Sequence, residues 1–182
     1  MFCSLGVQSQ HEQEVWMKVE LQHQKNQPYA QVGNEMLKLI IEGIQNQEIQ
    51  PYQFSWKGNV GEKMDLKRFN QVITNSDTQK TYLMPQLALV YLIKTTGSGE
   101  SSLIRKVSLA IVKGASSRVS LGPLFYADLE FSELSRFLDA KFKENPVKYA
   151  WINPLDSQQK MSYAAALRAG KYWGTIDKTF PR

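Results

Sequence analysis

Two histidines, a trio of acids, one cysteine and a glycine-rich hexapeptide are the groups in this 182-residue sequence whose types and spacing could do chemistry. His11 and His23 lack the i, i+4 spacing that sets two imidazoles on one helical face to hold a metal. A Ser-His-Asp arrangement would meet only in the fold, but neither histidine adjoins a motif that shapes a nucleophile, and both read as surface residues. Asp128, Glu130 and Glu133 fall where a strand candidate meets a helix. Two of them could hold a cation or act as acid and base, yet acids before and within a first helical turn are what the helix dipole favours, and that reading is taken. The hexapeptide "GSGESS" lacks the Lys-Ser/Thr of a phosphate loop and joins two strand candidates, so it reads as a turn without a ligand. Cys3 alone can form neither an intramolecular disulfide nor a cysteine-based zinc site. No catalytic residue, metal or cofactor is nominated.

Aromatic residues are the remaining signal: Trp16, Tyr29, Tyr52, Phe54, Trp56, Trp151, Tyr172 and Trp173. Platforms for single-stranded nucleic acid interleave aromatic and basic residues, and "WMK", "FSWK" and "KYW" fit that pattern loosely. A net charge of +5 and a pI near 9.2 keep a small basic nucleic-acid-binding domain as the alternative function. Against it, Lys18, Lys38, Lys57, Lys63, Lys67, Arg68, Arg105, Lys106, Lys141 and Lys143 are interleaved with acids, as on an ordinary solvated surface. Trp and Tyr are also enriched at protein interfaces.

The elements that must position these groups are legible from periodicity. "EVWMKVELQ" alternates Val15, Met17, Val19 and Leu21 against Trp16, Lys18 and Glu20, the pattern of a strand with one buried face that pairs with a sheet edge. "QHQKNQPYA" follows as a polar connector, with Pro28 holding Gln27 extended. A helix from about Asn34, its N-cap, to about Asn46 carries Leu37, Ile40, Ile41 and Ile44 on one face. Gly43 inside it marks either close packing or a weak last turn. Phe54 and Trp56 are the expected anchors of the loop "IQPYQFSWKGNVGEK". A second helix opens at the N-cap Asp65 and presents Leu66, Phe69, Val72 and Ile73.

"QLALVYLIKTT" and "SLIRKVSLAIVKG", separated by "GSGE", predict an antiparallel hairpin, and "GPLFYADL" a third strand. "FSELSRFLDAKF" predicts a helix through Phe131, Leu134, Leu138 and Phe142, ended by Asn145-Pro146. A last helix runs from the N-cap Ser162 to about Gly170. The fold class is α+β: an antiparallel sheet, central hairpin plus flanking strands, covered by about four amphipathic helices.

The 182-residue chain, 42% apolar, is long enough to bury one core, and residues 15–182 are read as a single domain after an N-terminal tail, 1–14. No window approaches the ~18 consecutive apolar residues of a membrane span. "MFCSLGVQSQ" has two readings. Val7-Gln8-Ser9 suits signal-peptide cleavage before Gln10, which would make the tail a signal remnant; the other reading is a frayed terminus.

The order of these blocks resembles the GldN/PorN family of gliding motility and type IX secretion. "VWMKVELQHQKNQPYA" is similar to that family's Trp-bearing strand and Asn-x-Pro-x-Tyr segment, here Trp16, Asn26, Pro28 and Tyr29. "MLKLIIEGIQNQEIQPYQ" is similar to its amphipathic helix and turn, with Gly43, Ile49 and Tyr52. "DLKRFNQVI", "SSLIRKVSLAIV", "GPLFYADLEFSEL" and "KMSYAAALRAGKYWGTIDK" resemble its later blocks, so the resemblance spans about Val15 to Lys178. "VYLIKTTGSGE" and "AAAL" stand where the family is acidic, which marks a divergent member or paralogue.

The resemblance implies a non-enzymatic structural subunit in the periplasm, associated with the outer membrane through a GldK/PorK-like lipoprotein. It further implies a ring with other copies of the chain, contact with a GldM-like periplasmic shaft, and no nucleic acid partner. Asn26, Pro28, Tyr29, Tyr52, Trp56, Tyr172 and Trp173 are the interface residues it suggests. On this reading the polar connector is a docking strap ordered by a neighbouring subunit; otherwise it is a solvated linker.

Overall fold

The alternating segment at the start forms strand β1 (Gln13–Glu20), and it lies inside a sheet rather than against its edge. The computed structural model describes residues 13–21, 23–31, 34–56, 59–74, 89–96, 103–111 and 124–181. Cys3, His11, the candidate cleavage site and the "GSGE" turn lie outside them. The fold is mixed α+β. Five antiparallel strands form the main sheet: β1, the hairpin β4 (Leu89–Thr96) and β5 (Leu103–Ile111), β6 (Leu124–Glu130), and β9 (Thr175–Pro181). Their order is β6-β5-β4-β1-β9. Trp16 stands opposite Ile93, and Ile93 opposite Lys106. The closing strand β9 was not legible in the sequence, and its pairing is what makes β1 an interior strand.

Period-two alternation gives this sheet two faces. Val19, Val107, Leu109, Ala127 and Leu129 join the core shared with four helices: α1 (Met36–Gln45), α2 (Leu66–Ile73), α3 (Phe131–Glu144) and α4 (Tyr163–Arg168). Trp16, Lys106, Ser108 and Asp128 point the other way and are also buried, so the expectation of one solvated face fails at this end of the sheet. The loop carrying Phe54 and Trp56 covers them. Trp16 packs edge-on to Phe54 (centroids 6.1 Å) and stacks on Trp56 (5.6 Å).

The helices begin where their caps dictate, with one exception. Asp65 accepts from Arg68 N at 2.7 Å, and Ser162 from Ala165 N at 3.0 Å. Asn34, however, belongs to a two-residue strand, β3 (Asn34–Glu35), paired with β2 (Ala30–Gln31), so α1 starts at Met36. Gly43 marks close packing: a Cβ there would lie 2.6 Å from Phe137 Cζ and 2.9 Å from Ile49 Cδ1. The helix closes with Gln47 N bonded to Ile44 O and Glu48 N to Gly43 O, which places Gln47 in the left-handed region at φ 60°.

The stretch expected as a polar connector, with Gln27 held extended before Pro28, is helical instead. Gln24–Tyr29 forms a 3-10 helix whose Asn26, Pro28 and Tyr29 are buried. A further antiparallel pair, β7 (Trp151–Asn153) and β8 (Asp156–Met161), was not anticipated.

Candidate functional site

Lys106 and Asp128 were read from sequence as a scattered surface lysine and a helix-dipole acid. The structure overturns both: they are 1% and 0% exposed and form an ion pair of 2.8 Å. Each lies on the non-helical side of its strand, where alternation sends β5 and β6 side chains under the loop. The Asp128 carboxylate also accepts from Ser108 Oγ at 2.5 Å and from Ser55 N at 2.9 Å. Lys106 Nζ donates further to Ser55 O (2.6 Å) and Asn59 O (3.3 Å), and lies 5.1 Å from the Trp16 ring centroid and 5.5 Å from that of Phe54. Burial holds the Asp128 carboxyl above its ordinary range, opposed by its bonds from Lys106, Ser108 and Ser55. Polar residues set into an aliphatic strand, Arg105, Lys106 and Ser108 among Ile104, Val107 and Leu109, were the available sequence signal.

This pair clamps the loop to the sheet. Tyr52 exchanges both backbone hydrogen bonds with Asp128 (2.9 Å each), and Gln53 N bonds Glu62 O at 2.8 Å. Gly61 closes the turn where a Cβ would sit 2.5 Å from Gln53 O, so only glycine fits. The result is a fixed loop that holds Trp56 out, 56% exposed, on the buried Trp16 ring.

A second constellation ties the chain's ends together. The Asn26 amide donates to Trp173 O (2.9 Å) and accepts from Trp173 N (2.8 Å), while Tyr29 OH donates to Lys171 O at 3.0 Å. His23 stacks on Trp173 with centroids 3.9 Å apart. Burial, then Tyr172 and Tyr163, push the Tyr29 phenol well above its usual range. Asn26 and Tyr29 are thus engaged by the chain's own C-terminal segment, and Pro28 between them is buried.

Among the suggested interface residues, Trp56 is exposed, whereas Tyr52, Tyr172 and Trp173 are half-buried. Tyr52 lines a cleft of about 530 Å³ with Glu133, Asp65, Lys63, Leu66 and Gln50. Its phenol is raised by burial and then by Glu130 and Glu133. Glu133 accepts from Gln50 N at 3.3 Å, and Glu130 precedes α3 without capping it through its side chain. Of the basic-aromatic runs, "WMK" has its Trp16 covered by the loop, and "KYW" has its Trp173 stacked on His23.

Among the described residues no His, Cys, Asp and Glu group could hold a metal, and no helix is long and apolar enough to cross a membrane. What this arrangement can do is present rigid polar and aromatic surface to other macromolecules. The family model for gliding motility associated protein GldN matches residues 9–180, and the chain belongs to that family, a structural component of the type IX secretion and gliding machinery and not an enzyme. No similar sequence was found among curated proteins.

Proposed function

We propose that the chain is a periplasmic subunit that docks a GldK/PorK-like outer-membrane lipoprotein, joins further copies of itself in a ring, and meets a GldM-like shaft. Residues 15–182 act as its single domain, joined by Gln13 and Glu14 at the start of β1, and the residues before them act as a tail. Family membership supports the machinery. The observation that supports a docking role is Trp56, a large aromatic kept exposed on a loop that a buried ion pair fixes in place. An aromatic anchor ordered before binding loses little conformational freedom on association.

Recovery of the lipoprotein with a tagged chain from an envelope fraction tests the reading. Trp56→Ala is expected to melt within about 1 kcal/mol of wild type, as a half-exposed side chain allows, and to recover at least about tenfold less lipoprotein, as loss of an anchor implies. Partition of the tagged wild-type chain to cytosol with no lipoprotein recovered would sink it.

A further inference from the structure

The cleft beside Tyr52 opens at the start of α3, and a rigid basic turn ends the same helix. Glu133, in the first turn of α3, and Asp65 give the cleft two carboxylates against one lysine, Lys63, above apolar Ile49 and Leu66. Among the described residues neither acid is in an ion pair. The turn carries the opposite character. Asn145 Oδ1 accepts from Val147 N (3.2 Å) and Lys148 N (3.0 Å), which fixes the backbone just beyond the helix. It holds Val147 out at 71% exposure, with Lys143, Glu144 and Lys148 exposed around it; Glu144 is paired with Lys141 at 3.4 Å, which leaves the turn net positive.

We propose that copies of this chain bind head to tail, the Lys148 turn of one copy seated in the Glu133 cleft of the next. A lysine suits such a site because its methylene stem lies along apolar surface while its ammonium meets the carboxylate. The turn cannot reach the cleft of its own chain, since the 14 residues of α3 separate them by about 20 Å. A knob and a socket at opposite ends of one rigid element make a heterologous contact, which propagates into a ring or filament. Charge selects this knob over the most exposed apolar residue, Leu155 (96%), because Leu155 is followed by Asp156, which would meet Glu133 and Asp65 with like charge. The contact rests on the ring of copies proposed above and names the two surfaces that would form it; it stands or falls separately from lipoprotein docking through Trp56.

Sedimentation velocity on the purified full chain at low salt tests it. Wild type is expected to associate as concentration rises and to dissociate as salt screens the pair. Glu133→Lys and Lys148→Glu, each alone, bring like charges together and are expected to weaken association by about tenfold or more. An equimolar mixture of the two variants restores opposite charges at every junction and is expected to recover association to near the wild-type level. Glu133→Gln, which keeps an acceptor for Gln50 N, should fall between, and Lys160→Glu on exposed β8 should change nothing. A wild type that stays monomeric at concentrations approaching millimolar overturns the proposal. So do single variants that associate as well as wild type, or a mixture that fails to recover.

Discussion

Replacing Lys106 by Met tests the clamp most directly. The substitution keeps an unbranched side chain of similar length over the Trp16 ring but removes the ammonium that serves Asp128, Ser55 O and Asn59 O. Breaking a buried pair by deleting one partner costs about 3–5 kcal/mol. The lower end is expected, because Ser108 Oγ and Ser55 N still reach the carboxylate. The cost must also depend on pH. Asp128 is already raised by burial in the wild type, so the folded state holds its proton more tightly than the unfolded chain does. Stability from this group is therefore fullest below the unfolded value and declines as pH rises through the folded one. Without Lys106, one hydrogen bond and one favourable charge that opposed the rise are gone, and the folded value climbs further. The gap between variant and wild type should be largest at neutral pH and narrow on acidification, as the stranded carboxylate neutralises. Urea unfolding followed by tryptophan fluorescence at neutral and mildly acidic pH measures both. Lys106→Met with Asp128→Leu should cost less than Lys106→Met alone. A gap that does not change with pH, or a neutral-pH cost under about 1 kcal/mol, a value ordinary for surface changes, would refute the argument.

Three further outcomes follow from packing. Tyr29→Phe deletes only the bond to Lys171 O and should cost about 1 kcal/mol, whereas Tyr29→Ala opens a core cavity and should cost about 3–5 kcal/mol by chemical denaturation. Gly43→Ala drives a methyl against Phe137 and Ile49; overpacking of about 1–3 kcal/mol outweighs the roughly 1 kcal/mol gained in helix propensity, so the melting temperature should fall. Gln47→Gly relieves a left-handed residue at a helix end and should raise stability by about 0.5–1 kcal/mol, with any loss confined to contacts at the neighbouring cleft.

Local chemistry was written in the sequence wherever one element decided it. Asp65 and Ser162 cap their helices because the cap needs only a short polar side chain three residues before a backbone N–H. The β4–β5 hairpin, β6 and α3 follow from hydrophobic period, and block order was enough to indicate the GldN family across most of the chain. Tertiary structure decided the rest, through contacts between residues far apart in sequence. Alternation set Trp16 opposite the apolar face of its strand, and charge scatter set Lys106 on the surface, but neither could show that residues 52–56 cover the side they share, which makes a buried tryptophan and a buried ion pair from residues with surface-like patterns. Asn26 and Tyr29 looked like a linker because their partners, Trp173 and Lys171, lie more than a hundred residues away. Strand β9, with Asp177, Lys178 and Pro181 among its seven residues, carries too weak a pattern to announce itself, yet its pairing turns β1 from edge to interior. A polar side chain's burial is set by what arrives from elsewhere in the chain, and single-sequence periodicity reports only which side of its own backbone it occupies.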